Sequence, residues 1–190
     1  MSKSICVYCS SSNHVDHKYF EAARNLGEAI AKRKYQLVYG GANVGLMGEV
    51  ASAVHENRGK VIGVIPESIH HRGLAFEKAD EIIITKDLRE RKAIMEIRSD
   101  IFITLPGGFG TLEEVLEMIT LKQLQYHEKP ILFLNIDYFF DPLKELFEHL
   151  FQTHFARDVY RMLYHFVDTV DQAFTYIDNY EAPELGNKWQ

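Results

Sequence analysis

Short apolar runs alternate along the chain with stretches in which apolar residues return every three or four positions. The runs fall at residues 5–9, 36–39, 60–65, 81–85, 101–105, 131–135 and 164–167. They are largely uninterrupted rather than alternating with polar residues, the pattern of strands buried on both faces. Between them, Phe20, Ala23, Leu26, Ala29 and Ile30 fall on one side of a helix predicted over residues 17–34. Helices are predicted likewise over 46–56, 88–99, 142–151 and 172–180. A further one carries Val115, Met118, Ile119 and Leu121 as far as about 125. Residues 67–80 keep no steady period and are expected to form a loop or a short irregular helix. Strand and helix thus alternate almost without interruption, which predicts an α/β fold: a Rossmann-like, doubly wound parallel sheet with helices on both faces. A single domain over residues 1–183 is expected, followed by a loose tail at 184–190.

Composition narrows the class. With 190 residues and 46% hydrophobic content, the chain can build one sizeable core. No apolar stretch approaches the roughly 20 residues needed to span a bilayer, and the first residues run straight into strand-like sequence. A cytoplasmic protein without a membrane partner is expected. A net charge of −6 argues against a general nucleic-acid binder. Cys6 and Cys9 lie in one strand-like run, where positions i and i+3 face opposite ways, so buried thiols are favoured over a disulfide or a zinc pair. His70 and His71 lack spaced partner ligands, and no metal site is expected.

The chemistry concentrates where strands give way to helices. L-P-G-G-F-G-T-L-E-E at residues 105–114 is a strand end, a Gly-rich turn and a helix start. Gly107, Gly108 and Gly110 leave room for successive N–H groups to converge on an anion at the helix N-terminus. The same letters also fit an ordinary tight turn with a capping box from Thr111 to Glu114. A second Gly-rich turn holds Gly40, Gly41 and Gly45, but it departs from the dinucleotide pattern G-x-G-x-x-G, which weakens a nicotinamide reading. Hydroxyl-rich residues 10–13, beginning at Ser10, end the first strand. In an open parallel sheet these three turns share the carboxyl edge, where ligands bind. Glu113 and Glu114 would stand beside a bound phosphate, with Arg91 and Lys92 as balancing cations.

R-K-x-x-M at residues 91–95 followed by P-G-G-F-G-T-L-E-E at 106–114 resembles the paired motif of the Lonely Guy (LOG) family, cytokinin riboside 5'-monophosphate phosphoribohydrolases. V-Y-G-G-A-N-V-G-L-M-G at 38–48 and V-I-G-V-I-P at 61–66 extend the similarity over most of residues 5–137. The resemblance implies a homodimer that hydrolyses the N-glycosidic bond of AMP or a cytokinin riboside 5'-monophosphate, releasing a free base and ribose 5-phosphate. It implies Glu114 and Arg91 as catalytic residues. Substrate contacts would come from Lys92, Glu113, Thr120 and the phosphate loop of Gly107, Gly108, Phe109, Gly110 and Thr111, with Gly41 and Ser10 on the neighbouring turns. No metal, flavin or nicotinamide cofactor is implied. Residues 67–78 depart from the plant pattern, which leaves the choice of base open. Two rivals stand beside this reading: a nucleotide sensor without catalysis, and the pyridoxal-phosphate decarboxylase suggested by the family's old label, for which no Schiff-base lysine is marked.

Overall fold

The structure is a computed structural model and describes residues 2–186. Seven strands form one sheet: β1 (Ser4–Tyr8), β2 (Gln36–Tyr39), β3 (Lys60–Pro66), β4 (Glu81–Thr85), β5 (Ile101–Thr104), β6 (Ile131–Leu134) and β7 (His165–Val167). Their order is β4-β3-β2-β1-β5-β6-β7, and every pairing is parallel. The chain therefore turns from one half of the sheet to the other between β1 and β5, which opens a crevice beyond their carboxyl ends.

The helices are α1 (His17–Lys32), α2 (Gly45–Glu56), α3 (Glu67–His70), α4 (Leu88–Ile97), α5 (Phe109–Gln123), α6 (Asp141–Gln152) and α7 (Val170–Asp178). Successive strand residues alternate between two cores. Ile5, Leu37, Ile103 and Leu134 pack under α1, α2 and α7, while Cys6, Val38, Phe102 and Phe133 pack under α4, α5 and α6. Both faces of the sheet are thus covered, and its strands consequently read as continuous apolar runs. The same alternation separates the cysteines: Cys6 lies in one core and Cys9 in the other, both free and buried.

Three local features go beyond what the sequence settled. Two 3-10 turns at Ile136–Tyr138 and Asp158–Leu163, which carry too few residues to show a period, were not expected, whereas residues 67–70 form the single turn α3 in the stretch expected to be a loop or short irregular helix. Helix α5 begins at Phe109 with Gly108 as its cap and no side-chain cap hydrogen bond, so of the two readings left open there the Thr111–Glu114 capping box is not formed. Both residues lie inside the helix instead. The expected loose tail is tied down through residue 186: Leu185 is buried and Gln125 Nε2 donates to the Gly186 carbonyl at 2.8 Å. Beneath it, the buried Lys122 donates to the Tyr180 hydroxyl at 2.8 Å. Residues 187–190 lie outside the described residues.

Asp137 and Tyr138 adopt left-handed backbone at φ 51° and 60°. Tyr138 is 73% exposed, so little packing recompenses the steric cost of its Cβ. Tyr138→Gly is expected to raise stability by about 0.5–1 kcal/mol, the relief of left-handed strain offset by glycine's extra unfolded-state entropy. Urea unfolding with an unchanged m-value checks it, and a lower midpoint contradicts it.

Candidate active site

A cavity of about 660 Å³ occupies the crevice beyond β1, β2 and β5. Its walls are the three turns singled out by the sequence, and backbone hydrogen bonds lock them to one another. Ser10 N–H donates to the Pro106 carbonyl at 3.2 Å, and Leu46 N–H donates to the Ser10 carbonyl at 3.0 Å. Asn13 Oδ1 accepts from Gly45 N–H at 2.7 Å. Gly45 is required there: its φ is +55°, and a Cβ would lie 2.5 Å from the Ser11 carbonyl carbon.

A fourth wall comes from the segment after α3. Asn43 N–H donates to the Leu74 carbonyl at 2.7 Å, and Phe76 N–H donates to the Gly41 carbonyl at 3.0 Å. This strap fastens residues 74–76 along the second Gly-rich turn and brings Ile69, Arg72 and Leu74 to the cavity. None of these three was marked by periodicity or motif. The resemblance pointed only to their segment, residues 67–78, as a contributor to the base pocket, and named none of the three.

At the cavity's inner end Arg91 Nη2 donates to Glu114 Oε1 at 2.7 Å, with each side chain only 12% exposed. Helix α4 presents Arg91 because Asp87 caps it, its Oδ1 accepting from Arg89 and Glu90 N–H at 2.9 Å each. Burial raises the Glu114 carboxyl above its ordinary value, and the Arg91 guanidinium pulls it partly back. Arg91 Nε is buried with no hydrogen-bond partner among the described residues, which leaves a donor beside the carboxylate. The Cys6 thiol is held up at about 12 by burial and is no nucleophile at neutral pH.

Of the site residues inferred from the sequence, Ser10, Gly108, Phe109, Gly110, Thr111, Arg91 and Glu114 line the cavity. Phe109 is 94% exposed at its lip. Five others lie outside the lining. Lys92 pairs with Glu113 and, at 2.6 Å, with Glu117, forming a clasp between α4 and α5. Thr120 donates its hydroxyl to the Leu116 carbonyl at 2.8 Å, one turn back in its own helix. Gly41 faces the strap, its carbonyl engaged by Phe76. Gly107 is a support: a Cβ there would lie 2.6 Å from Thr111 Cβ, so its bareness lets Thr111 seat under the turn. Arg98 clamps Glu81 with two hydrogen bonds of 2.9 and 2.7 Å, away from the cavity.

Chemically, the arrangement combines a helix N-terminus free of side-chain capping, a buried carboxylate in contact with a guanidinium, and an apolar and hydroxyl-bearing wall. The first suits an anion, the second a developing cation, the third a flat organic group. Among the described residues no group of three or more His, Cys, Asp or Glu is placed to hold a metal.

Comparison with known proteins identifies the family. The family model described as "Possible lysine decarboxylase" matches residues 47–177. The "Probable cytokinin riboside 5'-monophosphate phosphoribohydrolase LOG6" of Arabidopsis thaliana is 50% identical over 141 residues, 74% of this chain and 70% of that protein. The cytokinin riboside 5'-monophosphate phosphoribohydrolase LOG of Oryza sativa subsp. japonica is 48% identical over 140 residues, 74% of this chain but 58% of that protein. Among solved structures, the molybdenum cofactor binding protein of Rippkaea orientalis superposes with a TM-score of 0.73 at 24% identity, covering 94% of this chain and 96% of that one. At that identity the likeness shows the Rossmann-like fold alone. The matches over residues 47–177 and at 48–50% identity leave one assignment: the chain belongs to the Lonely Guy family of cytokinin riboside 5'-monophosphate phosphoribohydrolases.

Proposed function

We propose that the protein is a nucleoside 5'-monophosphate phosphoribohydrolase acting on AMP, on cytokinin riboside 5'-monophosphates, or on both. The observation that carries the reading is the Arg91–Glu114 pair, buried at the inner end of a cavity whose other end is an uncapped helix N-terminus. The 5'-phosphate sits on the N–H groups of the Gly108–Thr111 turn at α5. Ribose then lies over Glu114 and the base against the wall of Met47, Ile69 and Leu74. As the C1'–N bond lengthens, positive charge builds on the ribose and the Glu114 carboxylate stabilises it. Water attacks C1', its hydroxyl stays on ribose 5-phosphate, and its proton balances the departing base. Arg91 orients the carboxylate and the sugar.

A decarboxylase needs a lysine to hold pyridoxal phosphate, and no lysine is among the cavity-lining residues. Lys92, the nearest in sequence to Arg91, is committed to Glu113 and Glu117. Incubation with a panel of nucleoside 5'-monophosphates, adenine and cytokinin types included, tests the reading by chromatography of the free base. Release of base from AMP is expected. Saturable binding with no release would establish the sensor instead, and pyridoxal-dependent release of carbon dioxide from lysine would establish the decarboxylase.

Arg72 lines the cavity and makes no ion pair among the described residues. It is the cation left to meet the substrate's charge once Arg91 is engaged by Glu114. Arg72→Ala is expected to raise KM for AMP about tenfold with kcat nearly unchanged, the signature of lost uniform binding. Steady-state kinetics check this, and an equal loss in kcat contradicts it.

The enzyme works as a homodimer in the cytoplasm, a compartment in which two unbridged cysteines are at home. Helix α4 buries only Met95, while Leu88, Ile97, Leu116 and Leu124 stand 37% to 74% exposed on α4 and the neighbouring α5. A second copy of the chain is the natural cover for these exposed apolar side chains. Light scattering at micromolar concentration is expected to give twice the 22.0 kDa chain mass, and a monodisperse monomer contradicts it.

A further inference from the structure

Gly40 follows β2 directly and lines the cavity. Unlike Gly41 and Gly45, it is not in the left-handed region, so its backbone conformation is open to residues with side chains. What excludes a side chain is occupation of the space. A Cβ built on Gly40 would lie 3.0 Å from Arg91 Cζ, nearer still to Arg91 Nη2, and 2.5 Å from Met47 Cε. The nitrogen that would be struck is the one that donates to Glu114 Oε1.

We propose that Gly40 is a positioning residue for the Arg91–Glu114 pair: the bare Cα at the end of β2 is the seat of the Arg91 guanidinium. The inference rests on the role given to that pair under the proposed function, and it adds what the turn at residues 40–45 does for it. A guanidinium on a long side chain has many rotamers, and its alignment on a buried carboxylate needs a surface that selects one of them. Here β2 supplies that surface from below, α4 supplies the side chain, and α5 supplies the carboxylate. Any side chain at residue 40 fills the seat and turns the guanidinium away.

Gly40→Ala is the test. All three atoms in its way lie at the far ends of two flexible side chains, Arg91 and Met47, so the variant folds while Arg91 yields. Its kcat on AMP falls at least tenfold with KM changed less than threefold. In the Arg91→Ala background the same substitution costs no further kcat, because its effect on the bond-breaking step runs through Arg91, while any displacement of Met47 at the base wall is read separately in KM. A second readout needs no substrate. In urea unfolding, Arg91→Ala and Glu114→Gln are coupled when residue 40 is glycine and additive when Gly40→Ala is also present. Failure of the hydrolase assignment therefore leaves this cycle intact, and failure of the cycle leaves the hydrolase assignment intact. Wild-type activity with undiminished coupling in Gly40→Ala would overturn the inference, as would an equal activity loss repeated on Arg91→Ala. Should Gly40→Ala alone not fold, Gly40→Ala combined with Arg91→Ala folds if the guanidinium is the obstacle, and its failure to fold places the decisive clash on something other than Arg91, Met47 first, and overturns the inference.

Discussion

Glu114→Gln is expected to fold normally and to lose at least about a hundredfold in kcat on AMP, the scale on which removal of a preorganised charge acts. The sequence left open whether this glutamate is catalytic or a helix cap. Its place inside α5, past a cap supplied by Gly108, takes the capping role away. Glutamine keeps an oxygen for Arg91 to donate to, so the buried guanidinium retains a partner. It also removes a carboxyl whose folded pKa is raised by burial. Such a group favours the folded state while protonated, and that contribution is lost as pH rises through its folded pKa. The variant is therefore expected to be no less stable than wild type at neutral pH. The same shift places the acid limb of kcat/KM for wild type above pH 4.5, the carboxyl's ordinary value. Arg91→Ala removes the cation that opposes the rise and moves that limb higher still. Full turnover by folded Glu114→Gln would make Glu113 the next candidate, although Glu113 is turned toward Lys92 and away from the cavity.

The second large effect is discrimination between AMP and adenosine. Adenosine is expected to be hydrolysed with kcat/KM at least about a hundredfold lower, as a few kcal/mol of charge-assisted hydrogen bonding orients the sugar only when a phosphate is present. The structural basis is the start of α5, where no side chain caps the first turn and Gly108, Gly110 and Thr111 border the cavity. Competition kinetics with the two substrates measure the ratio directly, and equal values would remove the phosphate site from the account.

The sheet was legible in the sequence because both its faces are covered. Each strand reads as an apolar block, and all seven blocks became strands. The three turns at the carboxyl edge were legible as glycine and hydroxyl clusters for the same topological reason. The fourth wall was legible only as a segment, residues 67–78, which the family resemblance tied to the base pocket without naming a residue. Ile69, Arg72 and Leu74 belong to a stretch held by hydrogen bonds to residues 41–43 rather than by a buried helical face, and such bonds leave no period in the side chains. Of the two readings left open at residues 107–114, the capping box is the one that fails: with Gly108 as its cap the helix begins at Phe109, three residues before a Thr111 cap would start it. Lys92 shows the limit of adjacency: next to Arg91 in sequence, it points along a different helix face and closes a clasp with Glu113 and Glu117.

The central claim is that this cavity breaks the bond between base and ribose while the phosphate stays on the sugar. Purified protein incubated with AMP, with adenine and ribose 5-phosphate quantified in the same time course, tests it most directly. The account predicts the two products in equal amounts and no adenosine. Adenosine with inorganic phosphate, or AMP bound and returned unchanged, would contradict it.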